Sequence, residues 1–363
     1  MVIKSVDLCN YRNYDYLNMN FDDHVNIIYG DNAQGKTNIL EALYVCATSR
    51  SHRSSKDKDI IEFDRDEAHI KVAVVKNGSN YRIDMHLKKN KHKGIAVNGI
   101  PIQKAVELFG IINIIFFSPE DLDIIKDGPS ERRRFMDMEL SQLDKIYLSN
   151  LVNYNKVIVQ RNKLLKDLNY NSSREGLYNL DVWDMQLNNF GSSIIERRKI
   201  FIKQINEIIK DIHGKLTGNV EILEIIYDPC VDSDELESKV KESRNRDINM
   251  KCTNVGPHKD DLIFLVNGKD VRKYGSQGQQ RTVALSLKLA EIQLVKQIIH
   301  DTPVLLLDDV LSELDSNRQN FLLDSIGDIQ TIVTCTGLEE FINNRVSVNK
   351  VFKVVNGTVT SEN

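Results

Sequence analysis

Gly30-Asp31-Asn32-Ala33-Gln34-Gly35-Lys36-Thr37 decides how this chain is read. It matches G-x-x-x-x-G-K-[ST] in full. The run before it, Val25-Asn26-Ile27-Ile28-Tyr29, is a short apolar strand pattern, and Thr37 to Val45 reads as a helix. A strand feeding a glycine loop and then a helix is the setting this motif requires. The glycines let successive backbone N–H groups turn toward one point, and the helix adds the positive end of its dipole. The pattern predicts a triphosphate cradle. Lys36 would reach the β- and γ-phosphates, and the Thr37 hydroxyl would hold Mg²⁺.

Downstream, Val304-Leu305-Leu306-Leu307-Asp308-Asp309 is an apolar strand ending in two acids. Asp308 is the expected Mg²⁺ ligand, and Asp309 is expected to orient or deprotonate the attacking water. An apolar strand ending in Asp is common, and only the upstream loop makes this reading specific. Before it, Gly275-Ser276-Gln277-Gly278-Gln279-Gln280-Arg281 opens a helix. A Ser hydroxyl, glycine N–H groups and a helix start make a second anion cradle, or a plainly capped loop. The stretch looks like the signature loop of ABC ATPases. Leu311-Ser312-Glu313-Leu314-Asp315 then stands at the D-loop position. Thr334-Cys335-Thr336 stands where that class carries a switch His, so Thr334 or Thr336 would sense the γ-phosphate by hydrogen bond. These elements in this order predict ATP as ligand and an ATP-dependent homodimer, the signature of one subunit closing over the ATP of the other. Lys36, Asp309 and Ser276 form the expected catalytic set. ATP is expected on Gly30 to Thr37, Gln277, Gly278 and Gln279.

The rest of the chain bounds that reading. Of 363 residues, 41% are hydrophobic and 28% charged, as in ordinary globular proteins. No run approaches the roughly 18 apolar residues of a membrane span. The start, MVIKSVDLCNYRNY, lacks the apolar core of a signal peptide. Five scattered cysteines without CxxC spacing argue against a zinc site or a disulfide framework, and a reducing cytoplasm fits best. A net charge of −4 speaks against a constitutively sticky nucleic-acid binder, but leaves room for a local basic surface.

Strand patterns at both ends enclose a helical middle. The expectation is an α/β, ABC-type P-loop ATPase head with a mixed core sheet and an antiparallel sheet. It would be assembled from residues 1–118 and about 251–363, with a helical lid over about 119–250. Asn77-Gly78 and Asn98-Gly99 mark hairpins in the antiparallel sheet. Ser118-Pro119-Glu120-Asp121 reads as the start of the lid, with Ser118 as helix cap.

The chain resembles the RecF family of bacterial recombination and repair ATPases, relatives of SMC heads. The resemblance runs nearly end to end. It rests on Asn10-Tyr11-Arg12-Asn13-Tyr14, the GDNAQGKTNILEAL segment, Ser49-Arg50-Ser51-His52-Arg53, Ser118 to Leu122 and Gly128 to Arg134. Gly256-Pro257-His258-Lys259-Asp260-Asp261, the signature loop and LLLDDVLSELD complete it. Lys259 stands where the family often has Arg, keeping charge without the bidentate fork. The resemblance implies slow, DNA-stimulated ATP hydrolysis that resets a DNA-bound dimer. It implies binding at single-strand/double-strand junctions and work with the mediators RecR and RecO to load RecA. It also implies roles in gap repair, replication restart and SOS induction. Arg12 and Asn13 lie where SMC-like heads contact the nucleotide.

Candidate DNA contacts are Lys88, Lys89, Lys91 and Lys93 on a basic hairpin tip, and Arg132 and Arg133 on an early lid helix. A lysine run is also an ordinary solvated turn, and one arginine of such a run can pair inward. Arg50 and Arg53 are close enough to the P-loop helix to serve ATP instead. His258 reads more readily as a packing residue than a catalytic one. Two other functions compete. A transporter ATPase subunit is disfavoured by the missing switch His and the large lid. A scaffold with a vestigial site is disfavoured because every phosphate and Mg²⁺ ligand is present.

Overall fold

A computed structural model describes residues 1–54, 56–170, 173–337 and 348–362. The chain divides into two compact units, Met1–Asp121 with Lys288–Asn363, and Leu122–Leu287.

The first unit holds two six-stranded sheets. One is antiparallel and runs, edge to edge, through Tyr14–Asn20, Val2–Tyr11, Glu67–Lys76, Ser79–Lys88, Gly94–Val97 and Ile100–Ile102. Val6 and Leu8 are buried two residues apart, which fixes the register of the inner face, and an irregularity between Ile3 and Ser5 lets Ile3 be buried as well. Asn77-Gly78 and Asn98-Gly99 both take positive φ, as the tight hairpin turns of this sheet require. The second sheet runs Thr358–Glu362, Lys350–Val355, Val25–Tyr29, Thr331–Cys335, Val304–Asp308 and Ile114–Phe117. All its pairings are parallel except the terminal hairpin. The strand leading to the glycine loop therefore does not touch the strand of acids, because Thr331–Cys335 lies between them.

The helix Lys36–Thr48 touches strands of both sheets. Every residue from Ile39 to Thr48 is buried, so this helix is a core element with almost no solvent face. Its C-terminus stops at Ser49, in the left-handed region at φ 60°.

The second unit is built mainly of helices: Leu122–Lys126, Pro129–Leu143, Lys145–Tyr170, Arg174–Thr217 and Leu236–Met250. Pro129–Leu143 and Lys145–Tyr170 are separated at Asp144. The Asp144 carboxylate accepts from the N–H groups of Ile146 and Tyr147 and so caps a new helix. The unit also carries a three-stranded antiparallel sheet, Lys269–Asp270, Asp261–Val266 and Leu223–Asp228. That pairing moves residues 251–287, expected in the core, into the second unit, which is thus helical with a small sheet. The expected Ser118 cap is also reversed. Asp121 takes the Ser118 N–H at 2.8 Å, and a 3-10 turn precedes Leu122–Lys126.

Candidate nucleotide site

Gly30 leaves its strand at φ 154°, where an added Cβ would stand 2.3 Å from the Val354 carbonyl oxygen. Gly35 takes φ 110°, and a Cβ there would meet the Asn13 amide at 2.5 Å and the Tyr14 hydroxyl at 2.8 Å. Both positions need glycine on conformation and on space. Asn13 donates to the Gln34 carbonyl at 3.0 Å, and the Tyr14 hydroxyl donates to the Gly35 carbonyl at 3.1 Å. Asp31, Asn32 and Ala33 are left exposed at the loop's crest. Lys36 is buried, and its ammonium donates to the carbonyls of Gly30 (2.5 Å) and Asp31 (2.8 Å). Burial lowers its pKa, and the nearby Asp309 and Asp308 charges oppose that shift.

The acidic half of the site comes from the other end of the chain. Asp308 Oδ1 accepts from the Thr37 hydroxyl at 2.8 Å and from the Thr334 hydroxyl at 2.7 Å. Thr334 stands directly opposite Asp308 on the intervening strand. Burial raises the Asp308 pKa, resisted by those two hydroxyls and by the charge of Arg53. Asp309 follows at φ 53°, held there by its N–H, which donates to the Thr334 carbonyl (3.2 Å) and hydroxyl (3.1 Å). A hydroxyl and a carboxylate side by side are hard oxygen donors, the set that suits Mg²⁺. Thr334 is spent on Asp308, whereas Thr336 is exposed.

Three supports surround the loop, and of these only the C-terminal hairpin escaped the sequence reading. Arg12, expected on the nucleotide, forks onto the fully buried Glu41 at 2.6 and 2.8 Å and donates to the Asp59 carbonyl at 2.8 Å. It braces the P-loop helix. A buried acid within that helix was the signal for such a partner. Arg53 donates to Asn38 in the helix's first turn at 3.2 Å and acts on the Asp308 charge, which sets it beside the glycine loop. The C-terminal hairpin, Lys350–Val355 with Thr358–Glu362, closes on the loop: the Asn356 N–H donates to the Gln34 side chain. Gly357 (φ 74°) lies so close that a Cβ would stand 2.7 Å from the Asn13 carbonyl oxygen.

The signature loop belongs to the second unit. Ser276 Oγ accepts from the Gln279 N–H at 3.2 Å, and Gln279 Oε1 accepts from the Ser276 N–H at 2.9 Å. This is a reciprocal capping box at the start of Gln277–Ile299. Ser276, Gln277 and Gly278 are exposed, so the face they form is open to a second molecule.

The family model described as "RecF/RecN/SMC N terminal domain" matches residues 2–360. A "DNA replication and repair protein RecF" of Lachnospira eligens is 70% identical over the whole of both chains. This chain belongs to the RecF family. A RecF of Lachnoclostridium phytofermentans is 62% identical over 99% of each chain. A solved structure described as the recombination mediator RecF with ATP in the RecFOR pathway superposes with a TM-score of 0.92 at 35% identity. It covers 99% of this chain and 97% of that one. An Smc head domain from Pyrococcus furiosus, at 16% identity and TM-score 0.57, shares the fold; it covers 99% of this chain and 95% of its own. The ABC-type head fold expected from the motifs is thus the fold observed.

Gly128 to Arg134 and Gly256 to Asp261 contribute to the interior of the second unit. Arg132, expected on DNA, is buried and pairs with Asp261 through two N–H groups at 2.5 and 3.1 Å. Its remaining contacts are the Ile124 and Asp127 carbonyls, so it is a structural arginine and not a DNA contact. Arg133 is half-buried and donates to the Asp260 carbonyl at 2.8 Å. His258 lies between the Tyr154 hydroxyl (2.7 Å) and the Thr253 carbonyl (3.0 Å), and burial lowers its pKa to about 4. It is a neutral packing residue. In the first unit, Lys93 is tied to Asp57 at 3.1 Å and to the Ser49 carbonyl. Lys88 pairs with Glu67 at 3.3 Å, Lys89 sits 3.9 Å from Asp66, and Lys91 is exposed.

Proposed function

We propose that this chain is an ATP-dependent DNA-binding protein of recombinational gap repair, acting also in replication restart and SOS induction. The observation that carries the ATP half is the shared Asp308 oxygen, on which the hydroxyls of Thr37 and Thr334 converge beside Lys36. Lys36, the Gly30-to-Thr37 loop and Asn13 would hold the triphosphate, with Arg53 flanking it. Thr37 and Asp308 would hold Mg²⁺, which neutralises charge on the phosphate oxygens. Asp309, whose N–H is held by Thr334, would orient or deprotonate the attacking water. Full-length identity to proteins called DNA replication and repair protein RecF supports the DNA half.

The exposed signature face supports an ATP-dependent homodimer in which Ser276, Gln277, Gly278 and Gln279 meet the partner's nucleotide. Slow, DNA-stimulated hydrolysis then opens the dimer. RecR and RecO are the proposed partners and RecA the recombinase served, in keeping with the RecFOR pathway named for the solved relatives. Lys91, with Lys88 and Lys89 at the tip of the hairpin Ser79–Lys88/Gly94–Val97, is the proposed DNA-facing group. The decisive experiment is sizing with and without ATP–Mg²⁺, in the presence and absence of gapped DNA. A monomer that dimerises on ATP and is then retained on gapped DNA is expected. DNA retention indifferent to ATP overturns the reading.

A further inference from the structure

The signature loop is tied to an interior chain of hydrogen bonds that no motif announces. Gln279 uses its Oε1 on Ser276 and donates through Nε2 to Glu221 Oε1 at 2.7 Å. Glu221 Oε2 lies 3.2 Å from Nε2 of His213, near the C-terminal end of the 44-residue helix Arg174–Thr217. His213 is fully buried, and its Nδ1 meets the Ser286 hydroxyl at 2.9 Å. Ser286 in turn donates to the Thr282 carbonyl at 2.7 Å, one turn back in the signature helix itself.

Hydrogen accounting gives this chain a direction. The Glu221 carboxylate offers lone pairs and no hydrogen. Glu221 Oε1 is then purely an acceptor. An acceptor at that point admits only one orientation of the Gln279 amide, with Nε2 toward Glu221 and Oε1 toward the Ser276 N–H. The reversed amide would set oxygen against oxygen and N–H against N–H. The polarity of the capping box, and with it the position of the Ser276 hydroxyl, is therefore set from inside the second unit.

We propose that Glu221, held by His213, is a positioning residue for the signature loop, and that it keeps Ser276 ready to engage the partner subunit's nucleotide. The proposal rests on the reading of that loop as an in-trans nucleotide contact, but its geometry can be tested without a dimer.

The test compares Glu221→Met, of similar length and without an acceptor, with Glu221→Gln, which can still present an oxygen to Gln279. Hydrogen–deuterium exchange over residues 275–281 is measured on the full-length monomer without nucleotide. Loss of one hydrogen bond should speed exchange there roughly fivefold in Glu221→Met, while Glu221→Gln stays near wild type. Exchange in Glu221→Met that matches wild type overturns the proposal, as does equal acceleration in both variants. With ATP–Mg²⁺, Glu221→Met should bind nucleotide like wild type as a monomer, yet dimerise only at higher protein concentration. Dimerisation of Glu221→Met at wild-type concentration overturns the link to Ser276. A wild-type chain that never dimerises sinks the in-trans reading, and the exchange comparison then decides the positioning alone.

Discussion

The Thr37 hydroxyl donates to Asp308 at 2.8 Å across 271 residues of sequence, and the Thr334 hydroxyl reaches the same oxygen from the strand between. One carboxylate oxygen thus joins the loop, the acid strand and the intervening strand. On the proposed function, Thr334 would orient the Mg²⁺-holding acid without being a ligand itself. Thr334→Val is therefore expected to weaken Mg²⁺-dependent ATP hydrolysis by roughly 10- to 100-fold, the usual cost of losing a partner of a ligand. Thr336→Ala should leave the Mg²⁺ requirement unchanged. Mg²⁺ titrations of hydrolysis for both variants check this, and equal Mg²⁺ dependence in the two would refute it.

Lys36 spends its ammonium on two carbonyls of its own loop. Those contacts can be exchanged for phosphate oxygens without unfolding anything. Lys36→Ala should weaken ATP binding roughly 100-fold, the value of about two charge-assisted hydrogen bonds. ATP-dependent retention on DNA should be lost with it. Asp309→Asn keeps the backbone lock on Thr334 and removes only the proton acceptor. It should bind ATP normally and accumulate as an ATP-bound dimer, measured by light scattering.

Ser276 is exposed, and a long cation there meets nothing in its own subunit's ATP cradle if the loop acts in trans. Ser276→Arg should leave monomer ATP affinity intact and block ATP-dependent dimerisation. Lost affinity in the monomer would show that the loop serves its own subunit.

Arg132 and Lys91 were equivalent in sequence and are opposite in structure. Truncating Arg132 strands the Asp261 carboxylate, so Arg132→Ala should cost about 3–5 kcal/mol of stability by denaturant titration. Lys91→Gln should be neutral for stability and, if Lys91 meets a phosphate, reduce the salt slope of DNA binding by about one. A wild-type slope in Lys91→Gln would remove this hairpin tip from the DNA surface.

This contrast shows what a single sequence can reveal. The glycine loop was legible because its ligands are contiguous and its backbone geometry is written in glycine positions. Asp308 was legible because an apolar strand ending in acids has few other uses beside such a loop. The role of Thr334 was not, because which strand lies between two others is a long-range pairing. For the same reason residues 251–287 were misplaced: Asp261–Val266 finds its partner in Leu223–Asp228, which no local pattern announces. Arg132 was misread because a charge in a run looks solvated until the fold supplies Asp261. Glu41 was overlooked because its partner, Arg12, lies 29 residues away.

His258 gives the fold a pH dependence with a definite sign. It is half-buried, accepts from the Tyr154 hydroxyl and donates to the Thr253 carbonyl, so the neutral ring satisfies both neighbours. Desolvation is the main cause of its depressed pKa of about 4, and the Lys259 and Arg133 charges push the same way. The unfolded chain has the ordinary value near 6.5. The unfolded state therefore takes up a proton first as the medium is acidified. The contribution of His258 is fully present above pH 6.5, declines below it, and is gone once pH has fallen through 4. The full loss amounts to about 3 kcal/mol. His258→Gln can keep one donor and one acceptor without titrating. Urea unfolding at pH 7.5, 6 and 5 should show wild type losing stability faster than His258→Gln over this range. Parallel losses in the two proteins would mean that His258 does not set the acid limit of the second unit.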